Sequence, residues 1–112
     1  MPARRRAAAP CPTAHPDPVA LAAALTVENV SLGAFAVMTA LLRTGGRMRL
    51  VPLSTQVGQS YWAVRNNVRR TPYFEYTELP GKKLEVAITE EGREKSRRIL
   101  KRVTDFDRWS AP

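Results

Sequence analysis

Between Ser60 and Arg70 the chain reads Ser-Tyr-Trp-Ala-Val-Arg-Asn-Asn-Val-Arg-Arg, a run dense in side chains that form directed hydrogen bonds. Laid on a helical repeat, Val64 and Val68 stand at i and i+4 and can face a core with Ala63 or Tyr61, whereas Trp62, Arg65, Asn66 and Arg69 fall on the opposite side. That division suits a helix in the major groove of a nucleic-acid duplex, where one face anchors the helix and the other offers hydrogen bonds to base edges. Arg65 could bond a guanine edge through its two-pronged guanidinium, and Asn66 an adenine through its carboxamide. Arg69 and Arg70 suit phosphates. So does the helix start, where Ser60 is a cap-type residue and the first-turn amides lack intrahelical partners. Plainer roles stand beside these: Trp62 as core, Asn67 as a cap or filler, Arg69 and Arg70 as neutralising charges only.

Catalytic chemistry has much less to work with. The one histidine, His15, stands in a proline-rich stretch, and the one cysteine, Cys11, has no second thiol to pair with and no close basic neighbour to lower its pKa. Gly45-Gly46 lacks the context of a phosphate loop. Glu90, Glu91 and Glu94 form a carboxylate cluster, but at a helix start where acids simply complement the dipole. These features argue against an enzyme, a metal site and a bound cofactor.

The charge balance points the same way as the Ser60 to Arg70 run. Eighteen Lys and Arg against ten Asp and Glu give a formal charge of +8, which favours a polyanionic partner through counterion release. The charge is also segregated: from Arg43 to Thr71 there are six arginines and no acid, while eight of the ten acids lie after Thr71. A lone cysteine agrees with a reducing, cytoplasmic location, nucleoid-associated if the partner is DNA. Arg4, Arg5 and Arg6 before an Ala-rich stretch superficially suggest a secretion signal, but Pro10, Pro12, Pro16 and Pro18 interrupt any apolar segment. Glu28 and Asn29 split the Ala/Leu-rich region, so no membrane span is expected.

The elements that must position Ser60 to Arg70 follow from periodicity and punctuation. Residues 1–17 form a basic Pro/Ala-rich arm without an apolar face, either a minor-groove arm or a solvated tail. Asp17 and Pro18 open a small apolar helix containing Leu21 and Leu25, and Ser31 caps a second, mostly buried helix that Gly45 and Gly46 end. Arg47 to Leu53 reads as a short edge strand or extended connector, because Pro52 cannot donate to a ladder. A short helix follows from Ser54 to Val57, then Gly58 breaks it, and Pro72 stops the next helix near Arg70. Tyr73 to Leu79 and Leu84 to Thr89 alternate as a two-stranded hairpin around a Pro80-Gly81 type II turn, with Lys82 and Lys83 at the tip. Thr89 begins a long helix with Ile99, Leu100, Val103, Phe106 and Trp109 on one side and dense charge on the other.

This order, and the run Leu53-Ser-Thr-Gln-Val-Gly-Gln-Ser60, resembles the supporting helix and turn of MarR/PadR-type bacterial regulators, in which Leu, polar or small residues, Leu or Val, Gly, any residue and Ser recur. Ile88-Thr-Glu-Glu-Gly-Arg-Glu94 is similar to the stretch where the wing of those families passes into the next helix. Thr71-Pro72-Tyr73 departs from the apolar residue and Gly usual before the wing, and Arg47 to Val51 is unusually basic. The resemblance implies an α+β, mostly helical, winged helix-turn-helix with a two-stranded β-hairpin wing and a long C-terminal helix. It places the recognition helix at Tyr61 to Arg70. DNA contacts are then expected from Ser60, Tyr61, Trp62, Arg65, Asn66, Arg69 and Arg70, with Lys82 and Lys83 on the wing or simply solvated.

The domain spans 18–109, followed by a 110–112 tail. In the resembling families the terminal helices form the dimer interface. A homodimer through Leu21, Leu25, Val103, Phe106 and Trp109 is therefore implied, unless the aromatics fold back onto their own domain. The functional expectation is a dimeric, sequence-specific transcriptional regulator on double-stranded DNA. A DNA-organising or plasmid and phage segregation adaptor, and a winged-helix protein-interaction module, are the alternatives.

Overall fold

A computed structural model describes residues 17–110, without the side chains of 106–110. The expected arm, with Arg4, Arg5, Arg6, Cys11 and His15, lies outside the described residues, as do residues 111–112 and the side chains of Phe106 and Trp109.

Helix α1 (Pro18–Glu28) starts where an Asp17 carboxylate oxygen accepts from the Val19 amide at 2.9 Å, and Pro18 takes the first position, where no amide is needed. Asn29 closes it in the left-handed conformation. Helix α2 (Leu32–Arg43) is capped by Ser31, whose hydroxyl accepts from the Ala34 amide at 3.1 Å. With Val37, Met38 and Leu41 completely buried, α2 is the central helix of the core. Gly45 and Gly46, both at positive φ, then turn the chain into β1 (Arg47–Arg49).

The next helix begins earlier than its proline suggests. Instead of an extended run to Pro52 and a helix from Ser54, only Arg47–Arg49 is strand, and α3 spans Leu50–Val57. Pro52 sits in the first turn, where its missing amide would have had no intrahelical partner. The helical start turns Leu50 and Leu53 into the core, and both are buried. Gly58, at φ 68°, ends α3, and α4 (Tyr61–Arg70) follows.

The wing is a three-stranded sheet and not a lone hairpin. β2 (Phe74–Leu79) and β3 (Lys83–Ile88) pair antiparallel, and β1 joins the other edge of β3 in the order β1-β3-β2. Met48, Val86 and Tyr76 share one cross-strand row, while Phe74 pairs with Ile88 at the base. The hairpin loop takes three residues: Gly81 has the positive φ expected after Pro80, but Lys82 adopts one too, at 61°, and Leu79 pairs with Lys83.

Helix α5 (Glu90–Ser110) is tied to this sheet by one threonine. The Thr89 hydroxyl accepts from the Gly92 amide at 3.1 Å and donates to the Pro72 carbonyl at 3.0 Å, while the Thr89 amide donates to the Tyr73 carbonyl at 2.9 Å. Gly92, Ser96, Ile99 and Val103 form the buried stripe of α5. Leu100, expected beside Ile99 and Val103, is exposed because it lies a hundred degrees further round the helix. Small residues Ala20 and Ala24 let α1 pack closely against α5. Among the described residues no single helix is long and apolar enough to cross a membrane; α1 and α2 reach that length only together, and they are bent by 99°.

Candidate nucleic-acid interface

Val64 and Val68 are buried and pin α4 to the domain along one side, as their spacing implies. A polar chain fixes it from another. The Asn67 amide nitrogen donates to Gln59 Oε1 at 3.2 Å, and Gln59 Nε2 donates to the Gly33 carbonyl on α2 at 3.1 Å. A Cβ at Gly33 would lie only 3.0 Å from Asn67 Nδ2, so the glycine makes room for this link. Asn67 is thus a structural residue of the turn and not part of the outward face.

That face carries Trp62, Asn66, Arg69 and Arg70, all exposed, with the Trp62 side chain at 63%. Trp62 is therefore surface and not core. Ser60 caps α4 by accepting from the Ala63 amide at 3.1 Å, which leaves its hydroxyl proton for an outside acceptor. Tyr61 is half-buried against the core, with its ring edge-on to Trp62 at 5.3 Å between centroids. Arg65 stands on the flank of α4 beside the wing, less exposed than Asn66. It lines a narrow apolar crevice with Leu50, Val68, Tyr76, Leu84 and Val86, and its Nε is buried without a hydrogen-bond partner. Its guanidinium carbon lies 5.3 Å from the Trp62 ring centre, within cation–π range.

Charge pairing separates the two ends of the molecule. Among the described residues, no carboxylate lies within 4 Å of Arg43, Arg49, Arg65, Arg69, Arg70, Lys82 or Lys83. Most cations of α5 are instead paired: Lys95, Arg98 and Arg102 converge on Glu28, Arg97 meets Glu94, and Lys101 meets Asp105. Arg47, counted in the basic run, is engaged by Glu85 at 3.1 Å. Glu28 was legible in the sequence only as an interruption of apolar residues. Its carboxylate is buried, and the Arg102 guanidinium, with Lys95 and Arg98, holds its pKa down at about 2 against the opposing effect of burial. The spacing of Lys95, Arg98 and Arg102 on one helical face was the available signal.

The expected dimer residues divide. Leu25 and Val103 are buried in the core of their own chain and Leu21 packs partly against it, while the side chains of Phe106 and Trp109 are outside the described residues. The apolar residues left outward are Val19, Ala22, Ala23 and Val27 on α1, with Leu100 on α5. Among the described residues no His, Cys, Asp and Glu side chains gather as metal ligands.

No family model and no curated protein matches the sequence. Solved structures do match the fold. AbsC, a MarR family transcriptional regulator from Streptomyces coelicolor, superposes with a TM-score of 0.68 at 20% identity over 79% of this chain. A MarR family regulator from Rhodococcus sp. RHA1 gives 0.68 at 18% identity, covering 84% of this chain and 71% of its own. The YusO protein from Bacillus subtilis gives 0.72 at 14% identity, covering 82% and 69%. The chain spans 64% of the length of AbsC, and likewise 64% of NadR, which was solved in complex with 4-hydroxyphenylacetate. The chain therefore resembles MarR-type regulators in structure as well as in motif, with five helices and a three-stranded antiparallel sheet in the winged-helix arrangement.

Proposed function

We propose that this protein is a dimeric transcriptional regulator that binds double-stranded DNA through α4 and the wing. The observation that carries this reading is the segregation of unpaired cations. On a chain of net charge +8, the cations of α4 and the wing tip have no carboxylate partner, while most cations of α5 have one, three of them sharing Glu28 of α1. Trp62, Asn66, Arg69 and Arg70 form the groove-facing side, and Arg65 flanks it toward the wing. The Ser60 hydroxyl and the amides at the start of α4 receive a phosphate, and Lys82 and Lys83 reach the neighbouring backbone or minor groove.

Dimerisation uses the outer face of α1. Apart from Thr26 and Glu28 this helix is apolar, yet only part of it meets α5, so Val19, Ala22, Ala23 and Val27 are left outward for a second surface to cover.

Selection from a random duplex pool tests the reading. A palindrome with half-sites about one helical turn apart is expected, bound with a steep salt dependence of about −0.9 in the log–log slope per phosphate contacted. No enrichment together with a flat salt response would overturn it. Footprints that spread cooperatively over repeats would replace the regulator with a DNA-organising role.

A further inference from the structure

An open cleft of about 370 Å³ lies between the wing tip and the β1–α3 junction, beside the first residue of α4, and Arg49, Val51, Pro52, Tyr61, Lys82 and Lys83 stand around it. Three of these side chains are cations from distant parts of the sequence, and among the described residues none has a carboxylate within 4 Å. The strand register explains why Arg49 stays unpaired. Its cross-strand partner is Glu85, but that carboxylate is taken by Arg47, two residues earlier on the same side of β1. Lys82 holds a left-handed backbone at φ 61° in the loop that brings it to the cleft. Such a conformation is unfavourable for a lysine.

We infer that this cleft is a binding site for the DNA sugar–phosphate backbone, with Arg49 as its anchoring residue, outside the recognition helix and the wing tip themselves. The inference rests on the DNA-binding reading above and adds a contact to it. A helix in the major groove and a wing beside the adjacent minor groove are separated on the duplex by one phosphodiester ridge. On the protein, this cleft lies alongside the gap between those two elements, from the wing tip to the β1–α3 junction, with Tyr61 of α4 at its edge. Its cations match a row of phosphates, and its apolar walls at Val51 and Pro52 fit the sugar edges. Arg49 lies on a strand, so its backbone position is fixed before binding. Unlike Arg65, it lies on no base-reading face, so its contribution is independent of sequence.

The test measures the salt dependence of binding to a mixed-sequence duplex of about 30 base pairs, long enough for about three helical turns. The proteins compared are wild type, Arg49→Gln, Arg49→Lys and Lys101→Gln. Arg49→Gln should flatten the log–log slope by about one phosphate and weaken affinity without altering sequence preference, and Arg49→Lys should restore the slope. Lys101→Gln, which removes a cation already paired with Asp105 on α5, should leave the slope unchanged. A second arm replaces single phosphates by neutral methylphosphonates: wild type should lose affinity at one backbone position where Arg49→Gln loses no more. A wild-type slope retained in Arg49→Gln, or loss equally large in Lys101→Gln, overturns the cleft assignment while leaving DNA binding standing. A flat wild-type slope instead overturns the DNA reading itself.

Discussion

The guanidinium of Arg65 lies over the exposed ring of Trp62, 5.3 Å from its centre, one helical turn along the same helix. An arginine that must meet a base edge loses side-chain freedom on doing so, and a stacking partner reduces that loss in advance. With its Nε buried against the wing, only its terminal nitrogens remain for hydrogen bonds outside the chain.

Trp62→Ala should therefore weaken DNA binding by about 0.5–2 kcal/mol and relax the preference at the base met by Arg65, whereas Trp62→Phe retains most of it. Selection profiles of the two variants decide this. Identical profiles would mean that Arg65 is not positioned by the ring.

Val19 is 65% exposed on the outer face of α1, in its first turn. A glutamate there favours the helix dipole, so Val19→Glu should preserve helix content. It should nevertheless convert the proposed dimer to monomer in analytical ultracentrifugation. A dimer of unchanged affinity would place the interface elsewhere.

Gly92 permits the close approach of α5 to the wing. A Cβ there would lie 2.5 Å from the Tyr73 carbonyl oxygen and 2.8 Å from Ile88 Cγ1, neither of which can step aside freely. Gly92→Ala should destabilise the fold by about 1–3 kcal/mol despite the better helix propensity of alanine. At roughly 4–8 °C per kcal/mol, thermal melting reads this directly. Gly58→Ala, whose new methyl meets open space but whose φ is 68°, should lose less, from backbone strain alone.

Glu28 makes folding pH-dependent in a defined window. Its pKa falls from 4.5 to about 2 in the fold, so between those values the unfolded chain binds the extra proton and stability rises with pH. The contribution is complete above about pH 4.5 and is lost as pH falls toward 2. Glu28→Gln should flatten the melting temperature across that window. Near neutral pH it should lose about 1–2 kcal/mol, less than a fully buried pair would, because Arg98 and Arg102 are half-exposed and screened by water.

Local chemistry was legible wherever a residue acts on its own neighbours. Asp17, Ser31 and Ser60 cap the helices they precede and Thr89 opens α5, each by a bond reaching no more than a few residues along the chain, while Gly58 and Gly81 turn the chain by their own positive φ. The residues of α4 divide into buried Val64 and Val68 and an outward Trp62 and Asn66 for the same reason: helical geometry alone assigns them. Pro52 was misleading because its effect depends on whether its missing amide has a partner, and burial of Leu50 and Leu53 decides where the helix begins.

Ser60 to Arg70, its cap, its two faces and its positive charge were determined by sequence, because those properties depend on type and spacing within ten or so positions. Tertiary structure decided which cations remain available. Glu28 meets Lys95, Arg98 and Arg102 from the other end of the chain, and Glu85 meets Arg47 across a strand pair, so Arg49 is left open beside the wing. It also moved Arg65 to the flank, since the wing that covers its Nε is brought there by the sheet. Ion pairing falls off with distance in space, and only folding determines that distance.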